Sequence, residues 1–474
     1  MLLLLSQLAF AQQTGFILTP EVAIDIASDR PGEDAVTSRT RVRAWAKGET
    51  DHDALWFLEV RAQHNLYAGD DVEGVWEARV SESGWHGPVG PVDLRVGNLV
   101  ERWGKLDFFP LVDVLSSKDL RNGPLTPQEW QRMAVPMAIV GMGSEPVRVE
   151  LSLLPFSARN RTSMLGTDWS LIRQRMLEKY LEKVSGWVGE TGVFMAPLIG
   201  TLGENFERMD PSMRQGLDAA MTANGFPQAL GTGAEVALRT EFSTSGFDGA
   251  VMGGALRNRT PLGVMDPTMI TILQEERLPS FDEVLELQEN GEFLVVSTWP
   301  RTWMGGFEAG TVVGAFGLRG EGLFLSDKVA RNHWLKGKTT PQVGGGLGVD
   351  YTRGSSLFAS VEASYKRMLA PPNQPLLEPA EQLQVGGGVR IAAVQDRLEI
   401  QLGGGYDITL SEYLMRPTVA YRLTDNWELA GGAALLGGKT PPPRTLEDAL
   451  SYEGGMGGYF SQNDAVTVAV SWIN

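Results

Sequence analysis

The chain of 474 residues contains no cysteine, which excludes disulfide frameworks, zinc–thiolate centres and thiol nucleophiles. Histidine is nearly as scarce. His52, His64, His86 and His333 fall in different expected elements, and no zincin, nucleophile-elbow or P-loop pattern occurs. Neither an enzyme nor a cofactor is therefore expected. Basic residues are outnumbered, 41 against 58 acidic ones, and the resulting net charge of −17 opposes a nucleic-acid partner, because phosphate binding needs a basic surface. No apolar run reaches the roughly 18 residues of a membrane helix. What is plentiful is glycine, 56 residues or about 12% of the chain, against an average of about 7%.

Residues 1–11, MLLLLSQLAFA, join a leucine run to Ala9-Phe10-Ala11 and have the form of a signal peptide, with cleavage expected before Gln12. Beyond them the organising signal is period-two alternation. Trp56, Leu58, Val60, Ala62 and Leu66 fall on one face of 54–66, and Phe57, Glu59, Arg61, Gln63 and Asn65 on the other. Leu398, Ile400, Leu402 and Tyr406 alternate in the same way with Arg397, Glu399, Gln401 and Asp407. Such segments run about ten to thirteen residues, longer than the five or six usual in soluble sheets and matched to a tilted bilayer crossing. Glycine runs at Gly344–Gly346, Gly386–Gly388 and Gly403–Gly405 lie inside these patterns. They would weaken a soluble sheet, but within a closed barrel they can mark bends or close backbone approach.

The expected fold is all-β, a transmembrane antiparallel up-and-down barrel of about 18 strands, with 16 to 20 accepted. Residues 12–474 form that single barrel. Short turns fall on the side of the chain's start, and the long segments 102–133, 156–232, 258–300, 326–340 and 438–463 fall on the other. Residues 81–91 read as a long connection, and 451–460 is left open as an added strand. The segment 102–133 is expected to fold inward as a plug, and 156–232 and 258–300 to carry helices on the outer side. Thr126-Pro127-Gln128-Glu129 and Ser280-x-x-Glu283 are capping boxes, and Asp266-Pro267 and Asp210-Pro211 are helix starts. Trp169, Ile172, Met176, Tyr180 and Val184 form an apolar stripe at helical spacing.

Alternation places Arg39, Arg41, Arg43, Arg61, Arg79 and Arg95 on the inward faces of strands two to five, together with Glu59, Glu77 and Asp93. A slipped register would put these arginines in lipid, at about 2–4 kcal/mol each near the midplane. The insertion adds Trp103, Asp107, Asp113, Asp119 and Arg121 as constriction residues. Two readings stay open: a charged constriction that prefers anions, or a neutralised network holding the insertion to the wall.

The stretch 95–121, RVGNLVERWGKLDFFPLVDVLSSKDLR, resembles the signature of a Gram-negative porin-like outer-membrane family. In it a strand ending V-G-x-x-x-x-x-W-G leads into an aspartate-rich inward segment. Pro300-Arg301-Thr302-x-Met304-x-Gly306 with Leu318-Arg319-Gly320-Glu321, and Tyr421–Asn426 with Asn463–Val466, resemble later parts of the same family. The resemblance implies an outer-membrane barrel with a plug-like first insertion, passing small or amphipathic molecules and often found beside an inner-membrane exporter. The function expected is thus a narrowed or gated channel for small anionic or amphipathic solutes. The alternative is a non-conducting barrel that anchors an envelope-spanning secretion, motility or lipid-transport complex. In either case outer-membrane lipid is a partner, and 156–232 and 258–300 are the surfaces for any other envelope protein.

Overall fold

The structure is a computed structural model. It describes residues 13–26, 36–49, 54–68, 72–162, 233–283 and 295–474, apart from a few single positions, and scattered residues between 169 and 183. The expected signal peptide, the helix start at Asp210-Pro211 and most of 156–232 lie outside the described residues.

Eighteen strands form one antiparallel sheet. The first half comprises β1 (Gln13–Asp25), β2 (Val36–Glu49), β3 (Leu55–Ala68), β4 (Val72–Val89), β5 (Val92–Leu99), β6 (Val135–Ser144), β7 (Val147–Leu154), β8 (Glu235–Thr244) and β9 (Phe247–Arg257). The second half comprises β10 (Arg301–Val313), β11 (Phe316–Arg331), β12 (Gly337–Arg353), β13 (Leu357–Met368), β14 (Glu381–Ala393), β15 (Leu398–Asp407), β16 (Glu412–Arg422), β17 (Trp427–Gly438) and β18 (Ala465–Ile473). Each strand pairs with its sequence neighbour, and β1 pairs with β18, Leu18 opposite Trp472 and Ile24 opposite Val466, so the sheet closes without a free edge.

Alternate residues around this ring are apolar and exposed, among them Val22, Ile24, Leu238, Val251, Phe307, Leu347, Val361, Ile400, Leu402, Val419 and Val468. A continuous apolar belt of this extent suits lipid and not water. Exposed aromatics flank it. Trp76, Trp303, Tyr365, Tyr406 and Tyr413 lie toward the end with the long connections, and Phe242, Phe247, Phe316, Tyr421 and Trp427 toward the end carrying the chain termini. Aromatic girdles of this kind sit where hydrocarbon meets headgroups. No helix among the described residues is long and apolar enough to cross a membrane.

Three elements differ from the sequence reading. The 81–91 connection is mostly strand. A bulge between Glu59 and Val60 of β3 and their β4 partners resets the alternation, and Gly90, at φ 62°, makes a two-residue turn with Pro91. Most of 326–340 is also strand, because β11 and β12 extend past a bulge between Leu325 and Lys328 and leave only 332–336 as loop. Residues 451–460 add no strand; Met456–Tyr459 is a helical turn.

Above the barrel, Met176, Ile270, Leu273, Leu335, Leu376, Leu450, Tyr459 and Phe460 share one apolar cluster, with Trp169, Ile172 and Tyr180 against it. Four residues of the stripe read from the second insertion thus pack internally, and Val184 lies outside the described residues. Asp266 caps the helix Pro267–Glu275 by accepting from Thr268 N–H at 2.8 Å. Ser280 and Glu283 form the reciprocal bonds of a capping box. Gln128–Gln131 is a single helical turn, and the Thr126 hydroxyl, buried and without a hydrogen bond, does not cap it.

Candidate functional site: the filled lumen

The segment 100–134 leaves β5 and contacts strands on opposite sides of the ring. It meets Arg61 and Arg79 on β3 and β4, and also Glu308, Glu321 and Glu362 on β10, β11 and β13. In a closed barrel only a segment inside the lumen can do this.

Three carboxylates hold its first turn. Glu308 accepts the backbone N–H of Gly104 at 2.6 Å. Glu321 accepts those of Lys105 at 2.5 Å, Leu106 at 2.6 Å, Leu111 at 2.7 Å and Val112 at 3.3 Å. Glu362 accepts those of Asp107, Phe108 and Phe109 at 2.7, 2.8 and 3.3 Å. Buried carboxylates saturated by amide donors are strong anchors, since each bond is charge-assisted and shielded from water. Arg319 adds a crosspiece, bonding Asp107 at 2.7 Å, Asp350 at 2.6 Å and Glu362 at 3.0 Å.

Apolar contacts complete the fit, and they account for the inward-facing glycines of the runs. A Cβ on Gly346 would come within 2.6 Å of Leu106, on Gly306 within 2.9 Å of Val112, on Gly386 within 2.7 Å of Phe109 and on Gly388 within 3.0 Å of Phe108. The inner wall is hollowed with glycine where the insertion's side chains enter. On the other flank Trp103, Val112 and Leu115 are buried against Val135, Met137, Ile139 and Met252.

The arginines singled out in the sequence lie on the wall facing this insertion, and carboxylates neutralise them. Arg39 and Arg41 approach Glu21 at 3.7 and 3.2 Å. Glu59 pairs with Arg43 at 2.7 Å and Arg61 at 2.6 Å. Arg61 also donates to the Glu129 carbonyl, and the Trp130 ring lies over both Arg41 and Arg61, at 5.7 and 5.3 Å. Arg79 bonds the Trp130 carbonyl at 2.6 Å and reaches Asp119 at 3.4 Å. Arg121 joins Asp119 at 2.7 Å to Glu77 at 2.6 Å, and Arg161 also pairs with Glu77. Arg95 pairs with Glu101 at 3.1 Å, and Asp93 with Arg148 at 2.8 Å and His86 at 2.9 Å. Asp113 is buried with Arg132 at 3.6 Å and Lys118 at 3.7 Å, and its oxygens accept no hydrogen bond. Burial opposes the charge on Asp119, but the hydrogen bonds and charge of Arg121, with Arg79 and Arg161 behind it, outweigh it and hold the carboxyl below the ordinary aspartate range. Asp107 is lowered in the same way, burial being outweighed by Arg102 and Arg319.

The insertion does not fill the lumen. Against β14–β16 it leaves a void of about 1010 Å³, bounded by Phe108, Phe109 and Glu129 on one side and by Gln382, Gln384, Arg390, Gln401, Arg416 and Thr418 on the wall. Neither Arg390 nor Arg416 was singled out by the sequence reading, nor were Glu308 and Glu362; Glu321 entered only as part of a motif. The available signal was inward parity: a lone charge among small residues, as in Gly306-Phe307-Glu308 or Gly388-Val389-Arg390.

A closed barrel with a lipid-compatible exterior, charged interior and inward-folded segment is a porin-type membrane barrel. No family model matches the chain, and no curated protein does. Among solved structures it is similar to Acinetobacter baumannii OccAB3, at 7% identity over 97% of this chain and 98% of that one, with a TM-score of 0.47. It is also similar to a mutant of the Rh. blastica porin, at 9% identity over 98% and 99% of the two chains, with a TM-score of 0.38.

Proposed function

We propose that the protein is an outer-membrane channel of the Gram-negative porin-like family its motifs resemble, admitting small anionic or amphipathic solutes through a lumen that 102–133 narrows. The observation that carries this is the void of about 1010 Å³ beside the insertion, with aromatic and apolar side chains as well as Gln382, Gln384, Gln401, Arg390 and Arg416 around it, inside a barrel whose outside is apolar. A non-conducting anchor has no need of such a space, and Met176, Ile270, Leu273, Leu450, Tyr459 and Phe460 of the described outer segments are buried in one shared cluster. The barrel's even strand count and alternating short turns match a bacterial outer-membrane topology. In this reading the charged interior is the conduction surface.

The test is a swelling assay on proteoliposomes of the purified mature chain. Entry of small organic anions such as acetate or benzoate, faster than neutral sugars of equal size, is expected. Liposomes that swell no faster than protein-free controls would overturn the channel reading and favour the anchor.

A further inference from the structure

Around the void, most charges are already engaged. Asp407 accepts from Gln382 Nε2 at 2.6 Å and Leu410 N–H at 3.0 Å, and Glu412 from the N–H groups of Gly455 and Gly457 at 2.6 and 2.9 Å. These two acids face each other at the outer ends of β15 and β16. Arg390 and Arg416 lie deeper, and among the described residues neither side chain has a hydrogen bond or ion pair.

Register places the two arginines on the same stretch of inner wall, two strands apart with β15 between them. Gly388 stands opposite Gly403, and Gly403 opposite Arg416; two residues along, Arg390 stands opposite Gln401. Facing Cβ positions on adjacent strands lie about 5 Å apart, so Arg416 neighbours Gly403 across the ladder, while Arg390 follows Gly388 by two residues on β14; the two long side chains start on different sides of the same glycine pair. On that pair rests the Phe108 ring, 3.0 Å from the Cβ position of Gly388 and 3.6 Å from that of Gly403. Two unpaired planar cations thus adjoin an aromatic face. Guanidinium groups grip carboxylates through parallel N–H donors, and an aromatic ring beside them accommodates an apolar body. Glu129 lines the opposite, insertion side, so the field across the void also draws the anionic end of a solute toward the arginines.

We infer that Arg390 and Arg416 with Phe108 form a binding site for monocarboxylates carrying an apolar or aromatic group, and that this pair, in place of the neutralised arginines of β2–β5, sets anion preference. The inference rests on the channel reading and deepens it.

The test compares wild type with Arg390→Ser/Arg416→Ser and with Phe108→Ala in planar bilayers, with folding checked by heat-modifiable gel mobility. The probes are potassium benzoate and potassium acetate gradients. Expected is a benzoate-to-potassium permeability ratio that falls severalfold in the double arginine variant. Loss of the benzoate-over-acetate advantage is expected in Phe108→Ala, with acetate permeation retained. Unchanged ratios in folded, conducting variants would overturn the site. A wild-type barrel that is silent would overturn the channel reading instead; calorimetric titration with benzoate would then decide the site, with heat abolished by the arginine substitutions supporting it and no heat in wild type overturning it.

Discussion

Glu308 on β10 stands directly opposite Glu321 on β11, both on the inner wall. Like charges so placed destabilise a strand pair, and here the compensation comes from the insertion. Gly104 N–H satisfies Glu308, which also pairs with Arg239, while four further amides converge on Glu321. Barrel wall and insertion are therefore one electrostatic unit.

Glu321→Gln keeps the size of that side chain but removes its charge and turns one of its ends into a donor facing donors. A loss of about 1–3 kcal/mol is expected, the usual cost of leaving buried polar groups unpaired. The thermal midpoint in detergent should drop and open-channel noise should rise. A midpoint equal to wild type would show that the clasp does not hold the insertion.

Gly104 is held at φ 100°, and a Cβ there would come within 2.6 Å of the Glu321 carboxylate. Gly104→Ala thus combines backbone strain with displacement of the clasp, and should cost about 1–3 kcal/mol. Gly305→Ala, where nothing lies within 4 Å of the Cβ position, is the comparison. Equal thermal midpoints for the two variants would contradict the account.

Gly386 makes room for Phe109. Gly386→Val should displace the ring into the void and reduce conductance, and Phe109→Ala in the same chain should restore it. Failure of the second change to compensate would show that the two residues do not meet.

Asp119 titrates below the ordinary value of about 3.9 because it is paired. A lowered carboxyl stabilises the fold above its unfolded pKa, and that contribution fades as pH falls through the folded one. The difference in thermal midpoint between wild type and Asp119→Asn should therefore be constant from neutral pH to about 4 and shrink only below that. A difference that collapses between pH 7 and 5 would contradict the Arg121 pairing.

The closed barrel was legible because the bilayer imposes strict alternation and strand length, so Arg39, Arg41 and Arg43 had only one face to occupy. The motif around Trp103-Gly104 was visible too, and its glycines have a reason: Gly97, at φ 156°, would place a Cβ 2.0 Å from the Ser83 carbonyl, and Gly104 meets Glu321. Hidden were relations between strands far apart in sequence. Parity shows that Glu362 points inward, but not that it receives Asp107, Phe108 and Phe109 amides some 250 positions away. For the arginines of β2–β5 alternation alone leaves a charged constriction and a neutralised network equally open, because the pairing of Arg39 and Arg41 with Glu21 is a relation between strands; Arg390 is a lone cation beside a glycine run, and Arg416 stands in a strand with no glycine. Strand ends shifted wherever a bulge reset the alternation, as at Ser81.

The central claim is that 102–133 narrows a conducting lumen. It is tested most directly by the single-channel conductance of wild type beside a variant deleted for 104–133, both verified as folded barrels. The account predicts a small, steady wild-type conductance and a severalfold larger one after deletion. Equal conductances, or silence from both proteins, would contradict it.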